Sequence, residues 1–584
     1  MFRADVLVIG SEGAGARAAW EAADRGQRVV IVTKGRLGRS GATLTGAADL
    51  DVDSRSLYRL LGPAPRTSGV APNPEDSPEQ FFRDMCVEGK WLNDQRQVLA
   101  HVEDVPERAR ELLEAGLKVY DLRQMPGHCY PRNMYTSGHD LVQVLKVQIK
   151  RRPIHVVEDT MVTDLLTRDG QVVGAVGLDL VRGEPVTFAA KAVVLATGGG
   201  HNVYEYNTGP EELTGDGQAM ALRAGAELLD MEMTQFLPTT IVSPPIARGN
   251  LFPFLLGPQN ALRIWLLNKY GERFMGRWDP ERWEHTTRDL LAIGIMNEVV
   301  EGRGTPNGGV WMSLRHLPNN LIDDFARWGA KPFISKDWKS HGLSFAHLIE
   351  DVKRGNAIEV APACHFFMGG VRVDEWGATT LPGLFAAGEV AGGCHGANRL
   401  SGNAFAQILV QGKRAGEAAA RFAAASGHVP EPDPRQVREY HARILAPLQR
   451  AEGPSSYEVR AELRGLMQRQ VGVVRDGAAL RAALGRIEAL LAEAVPRLAA
   501  RHRGRPYNPE WIECLQTANL ATTMALVARG ALTREESRGA HYRRDFPRPD
   551  NARWLKHIVQ RLVDGRIELR CEPVELLYLT PPQE

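Results

Sequence analysis

The chain is short of cysteine, with six in 584 residues, at 86, 129, 364, 394, 514 and 571. No two form a Cys-x-x-Cys pair, so neither a disulfide framework nor an iron–sulfur or zinc site is suggested, and the six read as free thiols. Neither charge is in excess: 71 Lys and Arg face 70 Asp and Glu, which removes the bulk electrostatic reason to expect nucleic acid or an anionic membrane as partner. No window approaches the ~18 uninterrupted apolar residues of a spanning helix. Met1-Phe2-Arg3-Ala4-Asp5 runs directly into an apolar strand without the leader and cleavage site of a secretory signal. These absences read as a cytoplasmic protein whose membrane link, where there is one, is peripheral, at the inner face and through partner subunits. Tandem repeats and low-complexity tracts are missing too, and the one Pro/Gly/Ser-rich loop, 61–74, receives no role.

What is present is 43% hydrophobic residues, ample for two to four globular domains. Ala4-Asp5-Val6-Leu7-Val8-Ile9 reads as a buried parallel strand, followed by a Gly-rich turn, an Ala-rich helix near 14–25 and a second strand, Arg28-Val29-Val30-Ile31-Val32-Thr33. That is a βαβ unit of the length used for dinucleotides. In the turn Gly10-Ser11-Glu12-Gly13-Ala14-Gly15, Gly10 and Gly15 hold the first and third positions of Gly-x-Gly-x-x-Gly, and Gly13 and Ala14 complete the small-residue surface. Glu12 stands where the second glycine is usual. A carboxylate beside a pyrophosphate is repulsive, so its side chain is expected to point away. The second strand ends in Thr33-Lys34 where an acid for the ribose is common, so ribose recognition must be supplied differently.

Later segments extend the pattern. Ala192-Val193-Val194-Leu195-Ala196-Thr197-Gly198-Gly199-Gly200 is a strand and turn similar to the Ala-Thr-Gly-Gly signature of two-dinucleotide flavoproteins, and Thr214-Gly215-Asp216-Gly217 opens a helix over 218–226. From 228 to 354 the chain is irregular and rich in Trp, Pro and Arg, as in an inserted lid. The earlier pattern returns near 357–425, with a helix starting at Gly402-Asn403-Ala404. Beyond 430, runs such as Ala478-Ala479-Leu480-Arg481-Ala482-Ala483-Leu484 predict helices. In His395-Gly396-Ala397-Asn398-Arg399-Leu400, reached through Gly383-Leu384-Phe385-Ala386-Ala387-Gly388-Glu389, a small-residue turn admits a flavin while a His and an Arg grip an anionic substrate beside it.

With these residues in order, the chain resembles the flavoprotein subunit family of fumarate reductase and succinate dehydrogenase, which includes L-aspartate oxidase. The matches also include Arg39-Ser40, Gln235-Phe236-Leu237-Pro238-Thr239, Gly271-Glu272-Arg273-Phe274-Met275, Thr287-Arg288-Asp289, Cys364-His365-Phe366-Phe367-Met368-Gly369-Gly370 and Glu536-Ser537-Arg538-Gly539-Ala540-His541. The resemblance implies an α/β fold with a Rossmann-like FAD-binding domain in two parts (1–227 and 355–428), an inserted α+β capping domain (228–354) and a helical C-terminal domain (429–584). It implies FAD contacts from Gly10, Gly13, Ala14, Gly15, Thr33, Lys34, Ser40, Gly41, Ala42, Thr43, Ala196, Thr197, Gly198, Gly199, Asp216, Gly388, Glu389, Asn403 and Ala404. Arg288 takes the place of the family's proton carrier, and His365 and Arg399 those of its carboxylate-binding residues. Glu389 matches the acid that contacts flavin ribityl or ribose hydroxyls.

Three departures carry information. Where respiratory members have a His that bonds covalently to the flavin, this chain reads Arg39-Ser40-Gly41-Ala42-Thr43, which implies non-covalent FAD. Leu237 replaces a substrate-binding His, a change worth roughly 1.5–3 kcal/mol if a charge-assisted hydrogen bond is lost. The family's Thr-Glu segment, with a hydroxyl donor and an acid of the proton relay, is replaced by Arg248-Gly249-Asn250-Leu251-Phe252-Pro253-Phe254-Leu255-Leu256-Gly257. Fumarate is therefore in question as the substrate, and a bulkier unsaturated acid or a monocarboxylate fits as well. Three readings follow: a catalytic flavoprotein reducing a small carboxylic acid with electrons from a separate iron–sulfur protein, a self-sufficient oxidase like L-aspartate oxidase, and an electron-relay component without a working substrate site.

Overall fold

The computed structural model describes residues 1–582 except 47, 48, 67, 244, 246, 247, 250–254, 257–261 and 324–344. Its centre is a seven-stranded sheet in the order Ile154–Val157, Val29–Val32, Phe2–Ile9, Glu184–Leu195, Gln171–Asp179, Thr160–Arg168, with Leu384–Ala386 also paired to Glu184–Leu195. The first four strands and Leu384–Ala386 are parallel, and the other two form an antiparallel extension. Alternate side chains bury on opposite faces. Val6, Val8, Val29, Ile31 and Val194 face helices Gly13–Asp24 and Asn403–Ala425, whereas Leu7, Ile9, Val30, Val32, Val193 and Leu195 face Met220 and Ala221 of helix Asp216–Ala224. Helices on both faces account for the near-continuous apolar runs of these strands.

The two helices on the first face approach very closely. A Cβ on Gly412 would stand 2.7 Å from the Ala14 carbonyl oxygen, and one on Gly416 would stand 2.4 Å from that of Ala18. This contact brings the 10–15 turn beside the start of the 403–425 helix, although most of the chain separates them in sequence.

A four-stranded antiparallel sheet is formed by Thr234–Ile241, Ile358–Phe367, Val310–Ser313 and Trp265–Leu267. It packs on helix Arg288–Val300 through Ile241, Leu266, Leu291, Ile295, Met312 and Val360. Its strand Ile358–Phe367 lies beyond position 354, so this sheet draws on both sides of the expected boundary. The pairing of Thr234–Ile241 slips after Gln235 and again between Leu237 and Thr240. Pro238 lacks the N–H that a regular ladder requires, and such irregularities re-aim side chains next to sites.

Helices Pro434–Gln449, Ser456–Gln470, Gly477–Glu493 and Pro509–Thr533 make up most of residues 434–533. The hairpin Lys556–Val563/Arg566–Pro573 departs from the helical expectation. It pairs with Leu228–Leu229, which also pairs with Gly370–Val371. Asp564 and Gly565 at its tip both have positive φ, 46° and 77°, the pattern of a two-residue turn whose twist suits a hairpin.

Candidate active site

The C-terminal ends of the parallel strands open into a cavity of about 360 Å³. At one end lie Gly10, Gly13, Ala14, Thr33 and Lys34; along its length lie Ser40, Gly41, Ala42, Thr43, Ala196, Thr197, Gly198, Asp216, Gly388, Glu389 and Ala404; at the other end lie Leu237, Arg288, His365 and Arg399. The turn is tight for a physical reason. Gly10 has φ +109°, and a Cβ there would meet the Ala196 carbonyl oxygen at 2.1 Å, so only glycine lets this turn close on the neighbouring strand. Gly15, Gly199 and Asn403 do not line the cavity. Gly15 packs on the Gly10 carbonyl, Gly199 packs on the Glu389 carboxylate, and Asn403 lies by the buried His101.

Lys34, on the cavity lining, also forms an internal clamp. Its Nζ donates to Asp216 Oδ2 at 2.8 Å, the Glu212 carbonyl at 2.7 Å and Thr214 Oγ1 at 3.2 Å, fixing the start of helix Asp216–Ala224 beside the second strand. The Gly13 N–H donates to Thr43 Oγ1 at 3.3 Å, tying the turn to the 40–43 segment.

Two expectations need correction. Glu12 does not point away. It lines the cavity, and its two oxygens are buried without a hydrogen bond of ordinary geometry. Burial pushes its carboxyl up to about 8; Glu212 adds to the rise, and the nearby Leu44 N–H and Thr43 hydroxyl reduce it. A neutral carboxyl removes the repulsion that the expectation rested on. His395 is not beside Arg399 on the cavity wall: it does not line the cavity, and its Nε2 faces Gln407 Oε1 at 2.9 Å while the ring meets Phe366 edge-on. The turn through Gly396 carries Arg399 into the cavity and leaves His395 behind in the core.

At the end lined by Leu237, Arg288 begins its helix, donating from Nη1 to Gln235 Oε1 at 3.1 Å and from Nη2 to Ser401 Oγ at 2.8 Å. It lines the cavity. Burial lowers its affinity for a proton, opposed by the charges of Glu88, Asp49, Asp51 and Asp289. Arg399 lies over the Phe366 ring at 4.5 Å, and burial with the neighbouring Arg288 brings it down to about 9. Among the described residues, neither arginine forms an ion pair with a carboxylate. His365 Nδ1 contacts Thr208 Oγ1 at 2.7 Å; burial and the two arginines hold its pKa well below the ordinary value, so the ring is neutral at pH 7. His201 Nε2 donates to the His365 carbonyl at 2.6 Å and lies 3.5 Å from Glu389 Oε1. Leu237 is buried and lines the same end.

Several lining residues go beyond the sequence expectation: Ser401, His201, Asp49, Arg123 and Tyr135. Ser401 is readable in principle from its place two residues after Arg399. Asp49 and Arg123 come from strands Asp49–Asp51 and Asp121–Arg123, whose pairing through Asn133–Tyr135 carries no local signature. Of the replaced Thr-Glu segment, only residues 248, 249, 255 and 256 lie within the described residues.

A parallel sheet with a Gly-rich turn at one end of the cavity, and two arginines with a neutral histidine at the other, is the layout of a nucleotide-binding enzyme. The chain matches the FAD binding domain over residues 5–405 and the fumarate reductase flavoprotein C-terminal model over 460–584. It is 39% identical over 573 residues to a subunit of the fumarate reductase (CoM/CoB) of Methanothermobacter marburgensis, covering 96% of this chain and 97% of that one. It is 33% identical to L-aspartate oxidase of Streptomyces coelicolor, covering 96% and 92%. Among solved structures, Mycobacterium smegmatis Sdh1 in complex with UQ1 superposes with a TM-score of 0.85 at 33% identity, covering 100% and 96%. The chain belongs to the FAD-dependent flavoprotein family of fumarate reductase, succinate dehydrogenase and L-aspartate oxidase. It is an oxidoreductase of the fumarate reductase and succinate dehydrogenase type, and no described helix is long and apolar enough to cross a membrane.

Proposed function

We propose that this chain is a cytoplasmic flavoprotein subunit that reduces the carbon–carbon double bond of a small unsaturated carboxylic acid, with FAD held non-covalently and electrons delivered by a separate iron–sulfur subunit. The observation that carries the reading is the pair Arg288 and Arg399, two cavity-lining guanidiniums that form no ion pair with a carboxylate among the described residues, beside a neutral His365. Arg399 offers a planar fork to the substrate carboxylate, and His365 adds a neutral donor. The residues lining the cavity fit FAD: the Gly10 turn leaves backbone exposed, Thr197 Oγ1 is buried without an internal partner, and Gly41 has no side chain to attach a flavin. Bound FAD would supply the hydride.

Arg288, lowered by burial, would supply the proton to the adjacent carbon while Gln235 and Ser401 keep its fork aimed. Retention of all three polar residues weighs against an electron-relay role. The Methanothermobacter relative, itself one subunit of a fumarate reductase, supports a multi-subunit assembly. A second reading, an L-aspartate-oxidase-like enzyme, is favoured by Asp49. Its Oδ1, on the cavity lining, accepts no hydrogen bond and has only a loose ion pair with Arg123 Nη1 at 3.9 Å, and there it could receive an ammonium group.

The test is a flavin-absorbance titration of the purified protein with fumarate, succinate, oxaloacetate, L-aspartate and alkyl- or aryl-substituted unsaturated acids, followed by turnover with reduced viologen. Reduction of one or more unsaturated acids supports the first reading. Peroxide formation with L-aspartate would support the second, and no binding by any acid would leave the relay reading.

A further inference from the structure

A neutral imidazole has one N–H and one lone pair, and which nitrogen carries the proton decides what the ring can bind. His365 can donate to a substrate carboxylate only from a nitrogen that holds the proton and has no other partner. Its Nδ1 is occupied, 2.7 Å from Thr208 Oγ1, whereas Nε2 makes no hydrogen bond among the described residues. The direction of the hydrogen bond between Thr208 and Nδ1 therefore settles whether His365 is a donor at all.

Backbone pairing puts Thr208 where it is. The Cys364 N–H donates to the Tyr206 carbonyl at 2.9 Å, the Thr208 N–H donates to the Cys364 carbonyl at 2.9 Å, and Asn207 forms a parallel bridge with Cys364. This register sets the Thr208 side chain beside His365. The start of the same segment holds His365 by its main chain, since His201 Nε2 meets the His365 carbonyl at 2.6 Å. A carbonyl only accepts, so His201 carries a proton on Nε2. Both grips require the segment to fold back on itself. Asn207 Oδ1 accepts from the Gly209 N–H at 3.2 Å, and Asn207 Nδ2 donates to the Tyr204 carbonyl at 3.1 Å. Gly209 packs so closely on His201 that a Cβ there would stand 2.7 Å from the ring Cγ.

The Thr208 hydroxyl has one proton and two acceptors near it, His365 Nδ1 at 2.7 Å and the Cys364 carbonyl at 3.5 Å. The first distance is that of a good hydrogen bond, and the second lies at the outer limit. The Cys364 carbonyl is in any case supplied by the Thr208 N–H. With a proton on Nδ1, the hydroxyl would accept it and have only the 3.5 Å contact for its own proton. With the lone pair on Nδ1, the hydroxyl donates at 2.7 Å and the ring proton goes to Nε2. The second arrangement satisfies both groups. Burial and the two arginines hold the His365 pKa well below the ordinary value, so the doubly protonated ring does not compete at neutral pH.

We propose that Thr208 is a positioning residue that sets the tautomer of His365, donating to Nδ1 so that Nε2–H is available to the substrate carboxylate, while His201 fixes the backbone that carries the ring. The inference rests on the reading of His365 as a carboxylate-binding residue. It accounts for how a histidine without a positive charge takes part in binding an anion: the two arginines supply charge, and the fixed N–H supplies direction.

The test compares wild type, Thr208→Val and Thr208→Ser as full-length holoprotein. Valine keeps the shape and the N–H bonded to Cys364 but removes the hydroxyl, and serine returns it. The first measurement needs no substrate. In protein labelled with 15N at the imidazole nitrogens, with the His365 signals assigned by their loss in His365→Gln, the wild type is expected to show a bare, hydrogen-bonded Nδ1 and a protonated Nε2. Thr208→Val should lose the hydrogen-bonded Nδ1 signal and show a mixture of tautomers, and Thr208→Ser should restore the wild-type pattern. A proton on Nδ1 in the wild type would overturn the proposal, as would the same ring spectrum in wild type and Thr208→Val. The second measurement is the Kd of fumarate, oxaloacetate or whichever substituted acid perturbs wild-type flavin absorbance. Thr208→Val should weaken it about 3–10-fold with flavin content unchanged, and Thr208→Ser should recover most of the loss. Equal affinity in wild type and Thr208→Val would refute the role, and so would equal losses in both variants or a loss that tracks flavin content. If the wild type binds no acid, the reading of His365 fails, and the nitrogen spectra still decide whether Thr208 sets its tautomer.

Discussion

Replacing Glu12 with glutamine removes a proton-binding group while keeping its volume. Burial pushes the folded carboxyl up to about 8 from an ordinary 4.5. The folded protein therefore keeps a proton that the unfolded chain gives up. The contribution of that proton to stability is complete below about 4.5 and is lost as pH rises through about 8. At about 1.4 kcal/mol per tenfold change, the window spans at most about 5 kcal/mol, and relaxation around a group at the edge of a cavity reduces this to a few. For a cooperative unit of about 200 residues, 1 kcal/mol moves the melting temperature by roughly 2–4 °C, so several degrees are at stake. The assay is thermal melting of wild type and Glu12→Gln in excess FAD from about pH 6 to about pH 9. The variant should gain on the wild type as pH rises to about 8 and keep a constant lead above it. A constant offset would report only how well the amide fits, and a difference that does not widen with pH would refute a neutral Glu12.

Three other outcomes are expected. Arg288→Lys should lower carbon–carbon bond reduction by about 10²–10⁴-fold with bound FAD unchanged, because an ammonium cannot span Gln235 and Ser401 as the fork does; turnover within a few-fold of wild type would remove Arg288 from the mechanism. Acid or heat denaturation should release all the flavin into the supernatant, and flavin fluorescence retained by the precipitated chain would show a covalent bond at a residue other than Gly41. Leu237→His should weaken the native substrate by about 1–3 kcal/mol by burying an unpaired imidazole, read as a shift in Kd from flavin absorbance; tight fumarate binding by the wild type would show that the polar contact is supplied elsewhere.

The parts of this protein that are legible in its sequence are those in which function and fold impose the same local pattern. The 4–33 βαβ unit, the 196–198 turn and the Thr287-Arg288-Asp289 motif each hold their chemistry within a few consecutive residues. The C-terminal hairpin is legible in principle, since Asp564-Gly565 lies between two alternating segments, but the helical runs before it outweigh that signal. His395 illustrates the opposite difficulty. Four residues separate it from Arg399, and spacing alone does not tell that a left-handed Gly396, φ +59°, turns one side chain into the core and the other into the cavity. Asp49 and His201 reach the site through long-range packing, and nothing near them in sequence marks their place on its wall.

The departures from the family pattern are coupled in space. A Cβ on Gly41 would lie 2.3 Å from Glu12 Cγ, and Gly41 itself has φ +92°. A side chain at 41 and a glutamate at 12 therefore compete for one volume, in a backbone conformation that disfavours any side chain. Placing a histidine at 41 would require removing Glu12 as well, so the two positions must change together. The substrate end is arranged in the same way. The apolar Leu237 lies on the strand whose Gln235 is already committed at both ends, accepting from Arg288 and donating to Asn398 and the Arg399 carbonyl. A polar residue at 237 would add a second hydrogen-bonding group beside a network that Gln235 has completed. Asn398 carries that network on to Glu88, donating to its Oε1 at 2.6 Å, so the strand bearing Leu237 is fixed by hydrogen bonds that run from Arg288 to the end of helix Pro78–Glu88.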